Sequence, residues 1–242
     1  PQRWCIIEKR RPPAGAKPPR AAGTKGGATM ELNLIKLPIR KGNVALKIAP
    51  GHFATNHSHI NYYIDVTTTK TRLSEAQAVA KELVKKYMST TIVDTILCLE
   101  GTEVIGTCLA QALTEAGFLS INAHQTIYVI KPEYNTNSQL IFRENIQPMV
   151  RGKHVLVLMA SVSTGKTMAR SVECVQYYGG TVVGISAIYS DMEKSPEGIP
   201  VNSLYSQSDL PDYASYSAHD CPLCKQGIKI DALVNSYGYS ML

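Results

Sequence analysis

Two short stretches carry residue types at spacings that could do chemistry. Residues 161–167 read Ser161-Val162-Ser163-Thr164-Gly165-Lys166-Thr167, after the apolar run His154–Met159 and before an amphipathic segment. A strand that ends in hydroxyl residues and reopens as a helix makes an anion site, because the helix's first N–H groups and its positive end converge there. Ser161, Ser163, Thr164 and Thr167 add hydroxyl donors, and Gly165 can take a positive φ without steric penalty. The second stretch holds His219, Cys221 and Cys224. These are three zinc-type ligands, one short of a closed tetrahedral site. Cys174 completes the set only if the fold brings it near; a redox pair and plain turn packing are the alternatives. A third group, His52, His57 and His59, has no carboxylate or cysteine at ligand spacing and reads as hairpin residues near a cleft.

The 161–167 loop admits two parses. Residues 160–167, ASVSTGKT, miss the P-loop pattern of nucleotide triphosphatases by one residue, Ala160 standing for its first glycine. On that parse Lys166 would meet the outer phosphates and Thr167 a magnesium ion, with Asp191 as a second acid. The position argues against it. A P-loop usually follows the first strand of its domain, whereas here only one clear strand, residues 181–189, comes after. A single strand end and a single helix start converge on one phosphate, not three.

The rest of the chain supplies a scaffold for such a loop. Residues 33–37, 43–49 and 59–66 read as short strands. Ser74 with Gln77 forms a capping box for a helix whose apolar face is Val79, Leu83 and Tyr87. Residues 91–99 are a buried-strand run, and 102–116 a helix stopped by Gly117. Residues 126–130 form a strand, 131–147 an irregular polar stretch, 167–178 a helix ended by Gly179-Gly180. Strands alternating with helices predict an α/β fold with a doubly wound parallel sheet, whose ligands bind at the carboxyl ends of the strands.

Composition narrows the function classes. The chain has 242 residues, 44% hydrophobic and 18% charged, with a formal charge of +6. Seven of its 25 basic residues and one of its 19 acids lie in residues 1–29, leaving 18 of each in the remainder. A nucleic-acid-binding core would keep a basic patch of its own, so no nucleic-acid partner is expected. Residues 1–29 are Pro-, Gly- and Ala-rich and read as a disordered basic tail or leader. No apolar run is long enough to span a membrane. The six scattered cysteines suit a reducing cytoplasm. The organisation read from these patterns is the tail 1–29, N-terminal strands and hairpin 30–72, a core 73–195, and an irregular C-terminal segment 196–242 with its CxxC.

Five segments in order resemble the type I phosphoribosyltransferases, the orotate phosphoribosyltransferases most closely. They are NHSHINYYID (56–65), ILCLEGTEVIGTCLA (96–110), IYVIKP (127–132), GKHVLVLMASVSTGKT (152–167) and YGGTVVGISAIYSD (178–191). The resemblance implies a 5′-phosphate loop at 161–167, a pyrophosphate loop at Leu99, Glu100, Gly101 and Thr102, and a mobile hood loop after residue 130 with Lys131 as its catalytic cation. It also implies transfer of ribose 5-phosphate from phosphoribosyl pyrophosphate to a nucleobase, Mg2+ carried by the diphosphate, and a cytoplasmic homodimer. The departures are specific. Met159 and Ala160 replace the adjacent acids that hold the ribose hydroxyls, and Thr102 stands where the orotate enzymes place a basic residue. A non-catalytic protein binding phosphoribosyl pyrophosphate or a nucleotide monophosphate on the same fold is therefore the alternative. Tyr237 or Tyr239, near the C-terminus, would stack on a base or pack into the core.

Overall fold

The computed structural model describes residues 32–242 except 116, 124, 137 and 138; the basic tail and the end of the helix expected to stop at residue 116 lie outside the described residues. In chain order the elements are β1 (Ile35–Lys41), β2 (Val44–Ala54), β3 (His59–Asp65), α1 (Thr67–Thr71), α2 (Leu73–Leu83), β4 (Thr95–Cys98), α3 (Glu103–Glu115), β5 (Tyr128–Ile130), β6 (Glu133–Tyr134), β7 (Leu140–Ile141), β8 (His154–Val162), α4 (Lys166–Tyr177), β9 (Thr181–Ser190), β10 (Val201–Ser206), β11 (Ser215–Tyr216), α5 (Pro222–Lys225), β12 (Ala232–Asn235) and β13 (Gly238–Met241).

The apolar runs build a parallel sheet in the order β10-β9-β8-β4-β5. Its central strand β8 buries both faces, as a parallel strand covered by helices must. Leu156, Leu158 and Ala160 join a core with Val79 and Leu83 of α2 and Ile105 and Leu109 of α3. Val155, Val157 and Met159 join the opposite core with Met168, Val172 and Val175 of α4. Helices on both faces make the sheet doubly wound, as the alternation of strand and helix predicts. Close packing is required on the first face: a Cβ at Gly106 of α3 would lie 2.3 Å from Cys98 Sγ on β4.

Local differences from the sequence reading have physical causes. Helix α2 starts at Leu73 with Arg72 as its N-cap and no side-chain cap, so the Ser74 capping box does not form. The short helix α1 runs directly into α2, and Arg72 N–H bonds back to the Thr68 carbonyl, which puts Ser74 already inside the first turn. Strand β10 was hidden by its polar residues; it extends the sheet by parallel pairing with β9. The stretch after β5 contains the small ribbon β6–β7.

A second sheet runs β11-β3-β2-β12-β13, with β1 also paired to β2. Strand β2 is shared end to end: β1 pairs with residues 44–48 and β12 with Phe53 and Ala54. The break falls near Pro50, which has no N–H to give a ladder, and the β2–β3 register shifts between Pro50 and Phe53. The C-terminal segment, expected to be irregular, thus contributes strands to both sheets.

Tyr205 of β10 couples the sheets. Its buried hydroxyl donates to the Val44 carbonyl at 2.8 Å and accepts from Lys41 N–H at 3.3 Å. Replacing it in Tyr205→Phe strands both backbone groups and should cost about 1–3 kcal/mol. Scanning calorimetry should show this as a fall of roughly 2–4 °C in Tm per kcal/mol lost. An unchanged Tm would mean that the hydroxyl does not join the sheets.

Candidate functional site

The carboxyl end of β8 opens into a cleft of about 500 Å³. All seven residues of the 161–167 loop line it, with Glu100 opposite and Met159 and Ala160 at its floor. Strand β8 runs on to Val162, so the turn itself is only residues 163–165. Gly165 caps α4 in the left-handed region at φ 69°, and no side chain caps the helix. The first N–H groups of α4 consequently have no acceptor within the helix and face the cleft. A side chain at Gly165 would be strained, and its Cβ would approach Met192 Sδ to 2.8 Å. Lys166 and Arg170 add cationic side chains to the same wall.

The stretch 99–102 divides into different roles. Leu99 is buried in the core. Thr102 is also buried, and its hydroxyl donates to the carbonyls of Leu99 and Leu158, so it locks the turn to β8. Glu100 and Gly101 both have positive φ, 58° and 79°. That backbone turns the Glu100 side chain across to β8, where Oε2 accepts from the N–H groups of Ala160 at 3.1 Å and Ser161 at 3.2 Å. Burial raises the pKa of this carboxyl, opposed by the two amide bonds and by Lys70.

Lys70 of α1 was not foreseen from the sequence. It lines the cleft, yet its Nζ is held by the carbonyls of Glu100 at 2.7 Å and Ser236 at 2.5 Å. Burial lowers its pKa, while the carboxylates of Glu100, Glu103 and Asp65 push the other way. The signal for it was a lysine in an otherwise threonine-rich turn, which reads as solvated surface. Lys131 is exposed, lies 3.7 Å from Glu103 and is not among the residues lining the cleft. Asp191, the second acid of the P-loop parse, takes the hydroxyl of Tyr189.

Aromatic residues close the remaining walls. Tyr62, Tyr63, Tyr134, Tyr189, Tyr213 and Tyr237 all face the cleft. Tyr237 is 84% exposed at the rim and therefore does not pack into the core. Tyr239 is instead set edge-on against Tyr63 at 5.5 Å between ring centroids. A pocket with one anion end and a tyrosine-lined end suits a ligand that is half phosphate and half planar ring.

The CxxC lies elsewhere. Cys221 and Cys224 come together with His52 and His59 of the β2–β3 hairpin, and His219 is not part of the group. The expected ligand set His219, Cys221 and Cys224 is corrected accordingly, and so is the reading of His52 and His59 as bare hairpin residues. Sequence spacing could not find this because the hairpin and the CxxC are brought together by long-range pairing, of β11 with β3 at His59 and of β12 with β2. His57 lines the cleft.

No family model matches the chain. Over 184 residues it is 25% identical to the orotate phosphoribosyltransferase of Chlorobaculum parvum, covering 75% of this chain and 86% of the relative. Over 109 residues it is 34% identical to the orotate phosphoribosyltransferase of Thermotoga maritima, covering 42% of this chain and 56% of the relative. Among solved structures, the Leishmania donovani UMP synthase aligns with 68% of this chain and 34% of its own, at a TM-score of 0.49 and 20% identity. The Mycobacterium tuberculosis orotate phosphoribosyltransferase in complex with phosphoribosyl diphosphate aligns with 61% of this chain and 82% of its own, at a TM-score of 0.46 and 18% identity. In sequence the chain is similar to orotate phosphoribosyltransferases over about three quarters of its length.

Proposed function

We propose that the chain is a phosphoribosyltransferase of the orotate type, and that residues 161–167 hold the single 5′-phosphate of phosphoribosyl pyrophosphate. The observation that carries this is the uncapped start of α4 behind a left-handed Gly165, opening into a cleft with a tyrosine-lined end. The ribose would lie between the loop and Glu100, the base among the tyrosines. The anomeric C–O bond to the diphosphate breaks, the pyrophosphate keeps the electron pair, and a ring nitrogen of the base forms the new C–N bond. Most of the catalysis is placement of the two reactants and stabilisation of the leaving charge. Magnesium enters this reading only with the diphosphate. Among the described residues the one group of three or more His, Cys, Asp or Glu side chains placed to share a metal is the His/Cys cluster.

Glu100 supplies what Met159 and Ala160 lack. Both of its amide bonds use Oε2, which leaves Oε1 for a ribose hydroxyl at the end of β8. A charge-assisted hydrogen bond is worth ~1.5–3 kcal/mol, so Glu100→Gln should weaken binding of phosphoribosyl pyrophosphate by about tenfold or more, measured by titration calorimetry. Because burial raises this carboxyl's pKa, binding should also fall on acidification from a higher pH than an ordinary glutamate would give. A pH-independent affinity in the wild type would remove Glu100 from the ribose site.

The phosphate loop has its own test. Gly165→Val should abolish binding of a nucleoside monophosphate, since a β-branched residue resists φ 69° and meets Met192. Lys166→Ala should weaken it only modestly. If the wild type instead prefers ATP strongly and Lys166→Ala abolishes that binding, the P-loop parse is right.

The second reading, a non-catalytic binder of phosphoribosyl pyrophosphate or a nucleotide, is favoured by one observation: Lys131 pairs with Glu103 outside the cleft lining. Turnover separates the two. The enzyme should release pyrophosphate from phosphoribosyl pyrophosphate with at least one base of a pyrimidine and purine panel. No release with any base, alongside measurable nucleotide monophosphate binding, leaves the regulatory reading. The resemblance also carries a homodimer, which sedimentation at micromolar concentration would reveal.

A further inference from the structure

We propose that His52, His59, Cys221 and Cys224 form a structural zinc site that moors the C-terminal segment to the β2–β3 hairpin. Their ligand atoms all lie within 4.8 Å of one another. Four of the six ligand-to-ligand spacings lie within a few tenths of an ångström of a tetrahedron's edges. Zinc–nitrogen bonds of about 2.0–2.1 Å and zinc–sulfur bonds of about 2.3 Å place neighbouring ligand atoms roughly 3.3–3.8 Å apart. The observed separations are 3.1 Å for His52 Nε2 to His59 Nδ1, 3.5 Å for Cys221 Sγ to His52 Nε2, 3.6 Å for Cys224 Sγ to His52 Nε2 and 3.2 Å for Cys224 Sγ to His59 Nδ1.

The surroundings support ligation over packing. His52 and Cys221 are fully buried, where two imidazoles and two thiols have little else to offer one another than weak S–H bonds. The other ring nitrogen of His52, Nδ1, donates to the Ile228 carbonyl at 2.9 Å. That bond leaves the Nε2 lone pair pointing at the cluster, the arrangement metal-bound histidines usually have. Two sulfurs and two imidazole nitrogens without a carboxylate form a closed set suited to zinc, with no open position for catalysis.

The site's place in the fold gives it a purpose. His52 is also clasped from its backbone: its N–H donates to Asp231 Oδ2, and its carbonyl accepts from Asp231 N–H, both at 2.8 Å. One residue on, β12 begins its brief parallel pairing with Phe53 and Ala54. Two residue pairs are a short seam for the strand that leads to residues 235–238 at the cleft, and a metal beside it would add a restraint to those of Lys70 and Asp231. Metal binding of this kind is coupled to folding of the segment that carries the ligands.

The test starts from the full chain purified under reducing conditions without added chelator. Elemental analysis should give one zinc per chain, and exchange for cobalt should produce the visible absorption of a tetrahedral site with thiolate charge-transfer bands. Cys224→Ala, at an exposed ligand, should lose the metal, whereas His219→Ala should keep it. Chelation should raise hydrogen exchange in residues 221–241 while β8 and β9 stay protected. Wild-type protein that contains no metal and takes up neither zinc nor cobalt overturns the proposal. So does stoichiometric metal that survives Cys224→Ala with unchanged cobalt bands. Neither result bears on the phosphoribosyl reading, which is tested by nucleotide binding and turnover.

Discussion

A buried ammonium must be compensated, and much of the cleft is arranged around the one on Lys70. Its Nζ binds the Glu100 carbonyl, from the turn after β4, and the Ser236 carbonyl, from the turn between β12 and β13. Those two turns belong to different sheets, so a single charge draws the parallel sheet and the second sheet together at the mouth of the cleft. An unpaired lysine would leave this position by losing its proton or its burial. The carboxylates of Glu100, Glu103 and Asp65 nearby favour the charged form and oppose the downward pull of burial. The lysine is therefore a clasp first, and its positive field in the cleft is a consequence.

What the sequence made legible follows from the range of the forces involved. Strand β8, helix α4 and the loop between them are specified locally, by a continuous apolar run, a turn of hydroxyl residues and a helical stripe of Met168, Val172 and Val175. These could be read directly and stand where they were expected. Strands β10 to β13 could not, because their residues are polar or short and become strands only by pairing with partners far away in the chain. The His/Cys cluster fails in the same way. Its ligands lie some 170 positions apart, and a search for ligands at short spacing selects His219, which the fold leaves out. Helix α2 shows a third kind of failure, a correct local signal at Ser74 overridden by the neighbouring helix α1.

Glu100 brings these levels together. A non-glycine residue in the left-handed region carries a cost of ~1–2 kcal/mol, and such strain persists only where surrounding structure over-determines it. Here the over-determination is visible: its carbonyl is bound by Lys70, its neighbour Thr102 is tied to Leu99 and Leu158, and its carboxylate spans to two amides of β8. A relaxed backbone at Glu100 would point the acid away from the end of β8 and leave those amides to water. The strain thus places one carboxyl group beside the loop that otherwise gathers positive potential from α4, Lys166 and Arg170. On the proposed reading, a phosphate at residues 163–167 and a hydroxyl-bearing ring at Glu100 would satisfy both sides of the cleft at once. On the phosphoribosyl reading proposed above, this end of the cleft would take the phosphate and ribose of a monophosphorylated sugar.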